Sequence, residues 1–230
     1  MTGHSFRLQL ETLQGIQDKD VLISSCVIAG WTGRDAAALE KHIAELEELG
    51  VRRPASTPIF YRVAASRLTT SNVIEVLGEA SGGEVEYTIL AHGGKLWVGT
   101  GSDHTDREAE RITVTLSKQI CDKPIAPRFW AFDDVANHWD EMILRSYVIE
   151  DGQRRLYQEA RTGAMLSPQD LIARYTHGGG LADGTILFGG TGAAIGGVRA
   201  THEFEYEIED PVLKRKIASR YRTVILPVLG

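Results

Sequence analysis

Hydrophobic and polar positions alternate at the start of the chain. Phe6, Leu8 and Leu10 fall on one side and Arg7, Gln9 and Glu11 on the other, the period-two pattern of a half-buried strand. Val21 to Ala29 (VLISSCVIA) is more continuously apolar and predicts a second strand. From Arg34 to Leu49 the period lengthens to that of a helix, with Leu39, Ile43 and Leu46 as the apolar stripe and Gly50 as the stop. Pro54 and Pro58 carry an extended link into TPIFYRV. Between Ser71 and Val98 the segments NVIEVLG, EVEYTIL and KLWVG read as strands, with Gly82-Gly83 and Gly93-Gly94 as turns. Asp133 and Asp134 mark a helix that gives way to a strand at ILRSYVIE, and Glu150-Asp151-Gly152 is a hairpin turn before RRLYQEAR. Ser167 and Pro168 then open a short helix, QDLIARY, as N-cap and first helical residue. The last third returns to strands at TILFGG, HEFEYEIED and TVILPVL.

More strand than helix, no repeat and no linker predict one mixed α+β domain. A length of 230 residues fits that expectation. The 24 glycines agree with a chain rich in turns and strands. A net charge of -6 argues against a nucleic-acid binder, whose affinity is built from clustered Lys and Arg. No apolar run approaches the roughly 20 residues that span a bilayer, and the opening MTGHSFRLQLETLQG has no secretory signal pattern. Two cysteines, Cys26 and Cys121, read as thiols in a reducing compartment, so a cytoplasmic location is expected.

Four groups of residues can carry chemistry, and two further motifs need weighing. Glu84 and Glu86 lie two apart in a strand reading, which places both carboxylates on one face. A divalent hard cation would relieve their repulsion; a solvated strand face would tolerate them equally. Asp103 follows a glycine-rich turn in GTGSDHTDREAE, where it can be a third metal ligand or the cap of a helix beginning near Thr105. Lys118 follows the apolar positions Ile112, Val114 and Leu116, so it is either a partly buried electrophile or a side chain reaching the surface. His42 and Glu45, three apart on the predicted helix, can form a water-activating dyad or an ordinary surface pair. TILFGGTGAAIGG looks like a dinucleotide loop, but the strand-like VRATHEFEYEIED follows it where a helix is needed to hold a pyrophosphate. His92-Gly93-Gly94 suggests an esterase loop, yet no G-x-S-x-G occurs. Both readings are set aside.

Taken in order from about residue 28 to 225, these pieces resemble the fumarylacetoacetate hydrolase family. His42-Ile-Ala-Glu45 is similar to its H-x-x-E, Pro58-Ile59-Phe60 to its P-x-I-F, and Gly83-Glu84-Val85-Glu86 to its Y-E-x-E metal strand. Ser102-Asp103 with Arg107 resembles N-D-x-x-x-R, and Lys118 falls at the lysine of K-S-F-D. Asp151-Gly152, Tyr157-Gln158, Thr162 and Ala164-Met165-Leu166 resemble the N-G…Q…T-x-x-M-I hairpin, followed by Asp170-Leu171-Ile172 for E-L-I. The stretch from Gly184 to Gly196, with Gly190 and Thr191 inside it, aligns without a gap on G-D-V-I-L-T-G-T-P-A-G-V-G. Departures are Ser102 for Asn, Gly192 for Pro, Gln119-Ile120 for Ser-Phe, and Trp31-Thr32 for Asn-Tyr. The 17 residues from Glu86 to Asp103 are also fewer than usual.

The resemblance implies a short, divergent branch with a strand-dominated fold, a mixed β-sandwich or β-roll of that family's C-terminal-domain type with a few peripheral helices. It implies one catalytic domain over 1–230: N-terminal strands at 1–30, a lid-type helix at 34–50 and a β-roll core at 58–230. The activity implied is a metal-dependent hydrolase that cleaves a C–C bond of an acylpyruvate-like 2-oxo acid through a metal-bound enolate. Decarboxylation, tautomerisation or isomerisation, and hydration at the same site are the alternatives, as is non-catalytic binding of a small acid. Mg2+ or Mn2+, with Ca2+ as a further candidate, would be held by Glu84, Glu86 and Asp103. His42 and Glu45 would activate water and Lys118 would steady developing charge. Arg107, Gln158, Gly190 and Thr191 would bind substrate. The implied partners are the small 2-oxo acid and a second copy in a homodimer, with no nucleic acid and no membrane.

Overall fold

The computed structural model describes residues 3–48 and 53–229, without the side chains of His42, Glu45, Leu46 and Glu48. Its first elements are β1 (His4–Thr12), β2 (Gly15–Ile23), β3 (Ser25–Gly30), α1 (Ala36–Glu48) and β4 (Ile59–Val63). Next come β5 (Leu68–Thr69), β6 (Val73–Leu77), β7 (Ser81–Gly82), β8 (Val85–His92), β9 (Lys95–Ser102) and β10 (Thr105–Asp106). Helices α2 (Arg107–Glu110) and α3 (Val114–Gln119) lead to β11 (Lys123–Pro124), β12 (Arg128–Ala131) and α4 (Phe132–Val135). The chain finishes with β13 (Ile143–Glu150), β14 (Gln153–Arg161), α5 (Pro168–Thr176), β15 (Thr185–Phe188), β16 (Glu203–Asp210) and β17 (Arg215–Leu226).

Eight strands form a large sheet in the order β2-β1-β12-β9-β8-β15-β3-β4, and five form a second in the order β14-β13-β16-β17-β6. Hairpins dominate, but β1 with β12, β15 with β3 and β17 with β6 run parallel. The strand-dominated architecture expected from the sequence is the one observed.

Alternation along β8 decides where its side chains go. Val85, Tyr87 and Ile89 enter a core shared by both sheets, with Leu144, Phe204 and Tyr221 among their company. Leu90 enters a second core built within the large sheet around Leu8, Ile28, Phe129 and Phe188. Burial of each such aliphatic or aromatic side chain contributes roughly 1.5–3 kcal/mol. Glu86 shares the parity of Leu90, so a carboxylate is carried inside with the apolar residues.

Local signals place the ends. Asp35 accepts from the amides of Ala37 and Ala38 to start α1, Ser167 caps α5, and Asp151 and Gly152 turn with φ of 53° and 70°. The predicted stop at Gly50 lies outside the described residues. No helix among the described residues is long and apolar enough to cross a membrane.

Several expectations are corrected. VLISSCVIA is two strands, not one: the chain bends at Ser24, and the amides of Ser24 and Ser25 both donate to the Gly184 carbonyl. Gly82 lies in β7 and Gly83 packs tightly beyond it, so this pair is not a hairpin turn. The glycines before Asp103 belong to β9; a Cβ on Gly99 or Gly101 would stand 2.7 Å from the ring of Phe129 or Phe188. Ile112 and Leu116 are exposed around α3 rather than forming a buried approach to Lys118. Asp106, not Asp103, caps the helix that follows.

Candidate active site

The register of β8 and β9 sets Val85 opposite Ser102, and just past that pair the Asp103 amide donates to the Glu84 carbonyl at 2.9 Å. Glu84 itself precedes β8. The two segments that carry the candidate carboxylates are thus tied by their backbones.

Glu86 is 3% exposed. One oxygen, Oε2, accepts from the Gly190 amide at 2.7 Å. Gly190 has φ of 99° and sits so close to the Thr32 hydroxyl that a Cβ would collide with it; any other residue would push this amide off the carboxylate. Burial first, and then repulsion from Asp103, push the Glu86 carboxyl well above the usual range.

Asp103 is wholly buried and carries two ammonium groups. Lys118 Nζ donates to its Oδ2, and Lys123 Nζ lies 3.4 Å from its Oδ1 while also donating to the His104 carbonyl. Burial alone would raise the Asp103 carboxyl; Lys118 and Lys123 outweigh it and hold the group below its ordinary value. The lysines diverge although they share this partner. Burial disfavours the charge of Lys118, yet Asp103, Glu84 and Glu86 together keep it raised. Lys123 has Asp103 but neither glutamate, and burial wins there, lowering it. Lys118 is therefore an interior ammonium and does not reach the surface.

Other expected residues are committed to protein partners. Arg107 Nη2 lies 3.2 Å from Glu84 and its Nη1 donates to Glu110 at 3.0 Å, so its guanidinium serves internal carboxylates. Gln158 uses its whole amide: Oε1 accepts from Val85 N at 3.0 Å and Ser146 Oγ at 2.8 Å. Its Nε2 donates to Thr191 Oγ1 at 2.7 Å and to the Gly192 carbonyl at 2.9 Å. Gly190 spends its N–H on Glu86. In this arrangement Arg107, Gln158 and Gly190 are each bonded to other groups of the chain. Thr191 is fixed by Gln158. His42 and Glu45 stand on α1, but their side chains lie outside the described residues.

The sequence reading missed Lys123, His104 and Tyr221. Lys123 lies in CDKP, which reads as a loop. His104 donates no local pattern, and burial, then Lys123 and Arg107, push its imidazole down to about 3. A cleft of about 470 Å³ is lined by Arg34, Trp139, Asp140 and Asp170 and by none of these groups.

The donors suit a hard dication in kind: three carboxylates, one of them raised by burial and by the repulsion of Asp103. Among the described residues, however, no three His, Cys, Asp or Glu side chains are placed to hold one metal ion together. Glu84 is turned to Arg107, and Lys118 occupies Asp103. Seating a cation requires Glu84 to turn and the ammonium to yield. The residues fit the group by composition, and these two movements are what the fit demands.

Strand-dominated, curled sheets with a few helices make up the fold. Solved structures agree. A 2-keto-3-deoxy-D-arabinonate dehydratase complexed with magnesium and 2,5-dioxopentanoate superposes with a TM-score of 0.64 at 18% identity, over 93% of this chain and 78% of that one. Cg1458 with an inhibitor gives 0.62 at 18% identity, over 94% and 82%. At such identities the likeness is one of fold. No curated protein matches the sequence. The chain belongs to the family described as "Protein of unknown function (DUF2848)", whose pattern it matches over residues 29–221.

Proposed function

We propose that the chain is a divalent-cation-dependent enzyme of small 2-oxo acids, related in mechanism to the fumarylacetoacetate hydrolase family. One observation carries this reading: Glu86 and Asp103 are buried beside the ammonium of Lys118, on a fold that in a dehydratase accommodates magnesium and 2,5-dioxopentanoate. A cation held by Glu84, Glu86 and Asp103 would supply Lewis acidity to the 2-oxo group.

The chain's own residues do the rest. Lys118 places fixed positive charge where negative charge develops as the substrate becomes an enolate. A preorganised donor of that kind is worth about 3 kcal/mol. Gln158 fixes Thr191 and Gly192, and so the loop that leaves β15 past Glu86. Arg107 holds Glu84 until it is needed.

For an acylpyruvate the reaction is hydrolytic. Water adds its oxygen to the acyl carbon, the C–C electron pair passes to the enolate, and protonation there gives pyruvate and a carboxylic acid. His42, oriented by Glu45, is the residue assigned to take the proton from water. A second reading, loss of water from a 3-deoxy-2-oxo acid, is supported by the dehydratase likeness and needs no water-activating dyad.

Incubation with Mg2+ and a panel of acylpyruvates and 3-deoxy-2-oxo sugar acids, followed by proton NMR, separates the two. Pyruvate release that His42→Ala abolishes supports hydrolysis; a dehydrated product that His42→Ala leaves unchanged supports the lyase. Absence of turnover across the panel with both Mg2+ and Mn2+, together with equal melting temperatures in metal and chelator, would sink the reading.

A further inference from the structure

Both the Glu84 and the Asp103 segments end near one polar atom from the other sheet. Tyr221 on β17 is 3% exposed. Its hydroxyl lies 2.9 Å from Ser102 Oγ and 2.8 Å from His104 Nδ1. Ser102 and His104 flank Asp103, so the residues on both sides of that carboxylate are held to one oxygen. The same hydroxyl sits against Gly83, the residue before Glu84: a Cβ there would collide with it and would stand 2.7 Å from Ser102 Oγ. Glycine at 83 is what lets the phenol reach the seam.

Hydrogen-bond accounting shows how much depends on this atom. His104 is fully buried and its Nε2 has no partner; among the described residues its ring has Tyr221 as its one hydrogen-bonded neighbour. The tautomer protonated at Nδ1 donates to the phenol oxygen, which leaves the phenol proton for Ser102. Deleting the hydroxyl would leave His104 Nδ1 without a partner, as Nε2 already is, together with Ser102 Oγ, in the interior, where an unmade bond is costly.

We propose that Tyr221 is a positioning residue for the candidate site, its hydroxyl clamping the chain on either side of Asp103 and against Gly83 so that Glu84 and Asp103 keep a fixed spacing. The metal part of this inference rests on the reading that those carboxylates hold a divalent cation. The mechanical part does not. Tyr221 also packs on Phe204 and Tyr206 of its own sheet, and its bond to Ser102 at the end of β9 joins that sheet to the large one.

The test compares full-length wild type, Tyr221→Phe and Tyr206→Phe. Phenylalanine keeps the ring and removes only the oxygen, and Tyr206 controls for losing a buried hydroxyl in the same aromatic group. Mn2+ alone is the probe, its free concentration followed by electron paramagnetic resonance. Tyr221→Phe is expected to weaken Mn2+ binding about 10-fold or more, the usual effect of removing a group that orients a ligand, while Tyr206→Phe leaves it unchanged. Hydrogen exchange in chelator supplies the second readout. Tyr221→Phe should speed exchange of the Asp103 amide, which bonds Glu84, well beyond amides in the centre of β16. Wild-type affinity in Tyr221→Phe, or exchange accelerated evenly through the protein, overturns the proposal. Should wild type take up no Mn2+, the cation reading fails; exchange then decides by itself, selective acceleration at Asp103 supporting the clamp and even acceleration refuting it.

Discussion

Arg53 holds Glu40 and Glu47 in a surface fork whose side chains are 44%, 62% and 41% exposed, whereas Lys118, Asp103 and Lys123 form pairs whose side chains are 9%, 1% and 0% exposed. Both groups pair carboxylates with cations. Around the fork, water solvates each charge whether or not the pair forms, so pairing changes little. In the interior each ion gives up hydration worth several kcal/mol, and a well-packed apolar set of similar volume would serve stability as well or better. The interior group is therefore poorly explained as a device for holding the fold together, and its composition makes sense as chemistry. Its internal balance also offsets the repulsion that Asp103 and Glu84 exert on Glu86: Lys118, Lys123 and Arg107 stand among these carboxylates.

Lys118→Met should give the largest effect. It removes one ammonium from Asp103 and leaves Glu86 facing that carboxylate, a broken buried pair of the kind that costs about 3–5 kcal/mol. Denaturant unfolding in chelator measures it, and adding Asp103→Asn to the same chain should recover part of the loss. A change as small as that of a surface pair would erase the distinction between the two regions.

Glu86→Gln sharpens the comparison through pH. Because burial raises this carboxyl in the folded protein, the fold takes up a proton more readily than the unfolded chain. Stability from this group is present below the ordinary carboxylate value of about 4.3 and is lost as pH rises from there through the raised value. Asp103 acts oppositely, its contribution fading as pH falls through a depressed value. In chelator the variant should match wild type at the acid end and become the more stable of the two toward neutral pH. Melting curves across that range, parallel for the two proteins, would contradict the assignment.

Arg53→Ala should do least. Its melting temperature should stay within about 2 °C of wild type, and high salt should remove even that difference. A larger, salt-resistant loss would mean that the fork is coupled to something deeper.

What the chain reveals by itself follows from how locally each feature is determined. Leu8 and Leu10 alternate, Asp151-Gly152 adopts positive φ, and Ser167-Pro168 caps and starts a helix; each is decided within a few residues, and each was readable. Ser24 interrupts a run that looks uniform because the bend is enforced by a carbonyl at Gly184, far along the sequence. Lys118 could be read as a surface lysine because the carboxylate that pairs with it, Asp103, is brought in just past the end of β9. Gln158 matched a binding position, yet its amide is consumed by Val85, Ser146, Thr191 and Gly192, contacts made only once both sheets are in place. Lys123 and Tyr221 carried no local mark at all. The strand-dominated fold was legible from periodicity and resemblance; the second lysine and the phenol were not, because pairing across distant segments creates their roles.

One further consequence concerns how the molecule comes into being. β15 lies between β8, to which it runs antiparallel, and β3, to which it runs parallel. Until Thr185 to Phe188 have left the ribosome, the two portions of the large sheet have no shared strand, and each waits with an open edge. An interrupted nascent chain would therefore display two sticky borders at once, the condition under which unfinished proteins associate with one another. Synthesis is effectively all or nothing here: the stretch from Thr185 to Phe188 supplies the zipper.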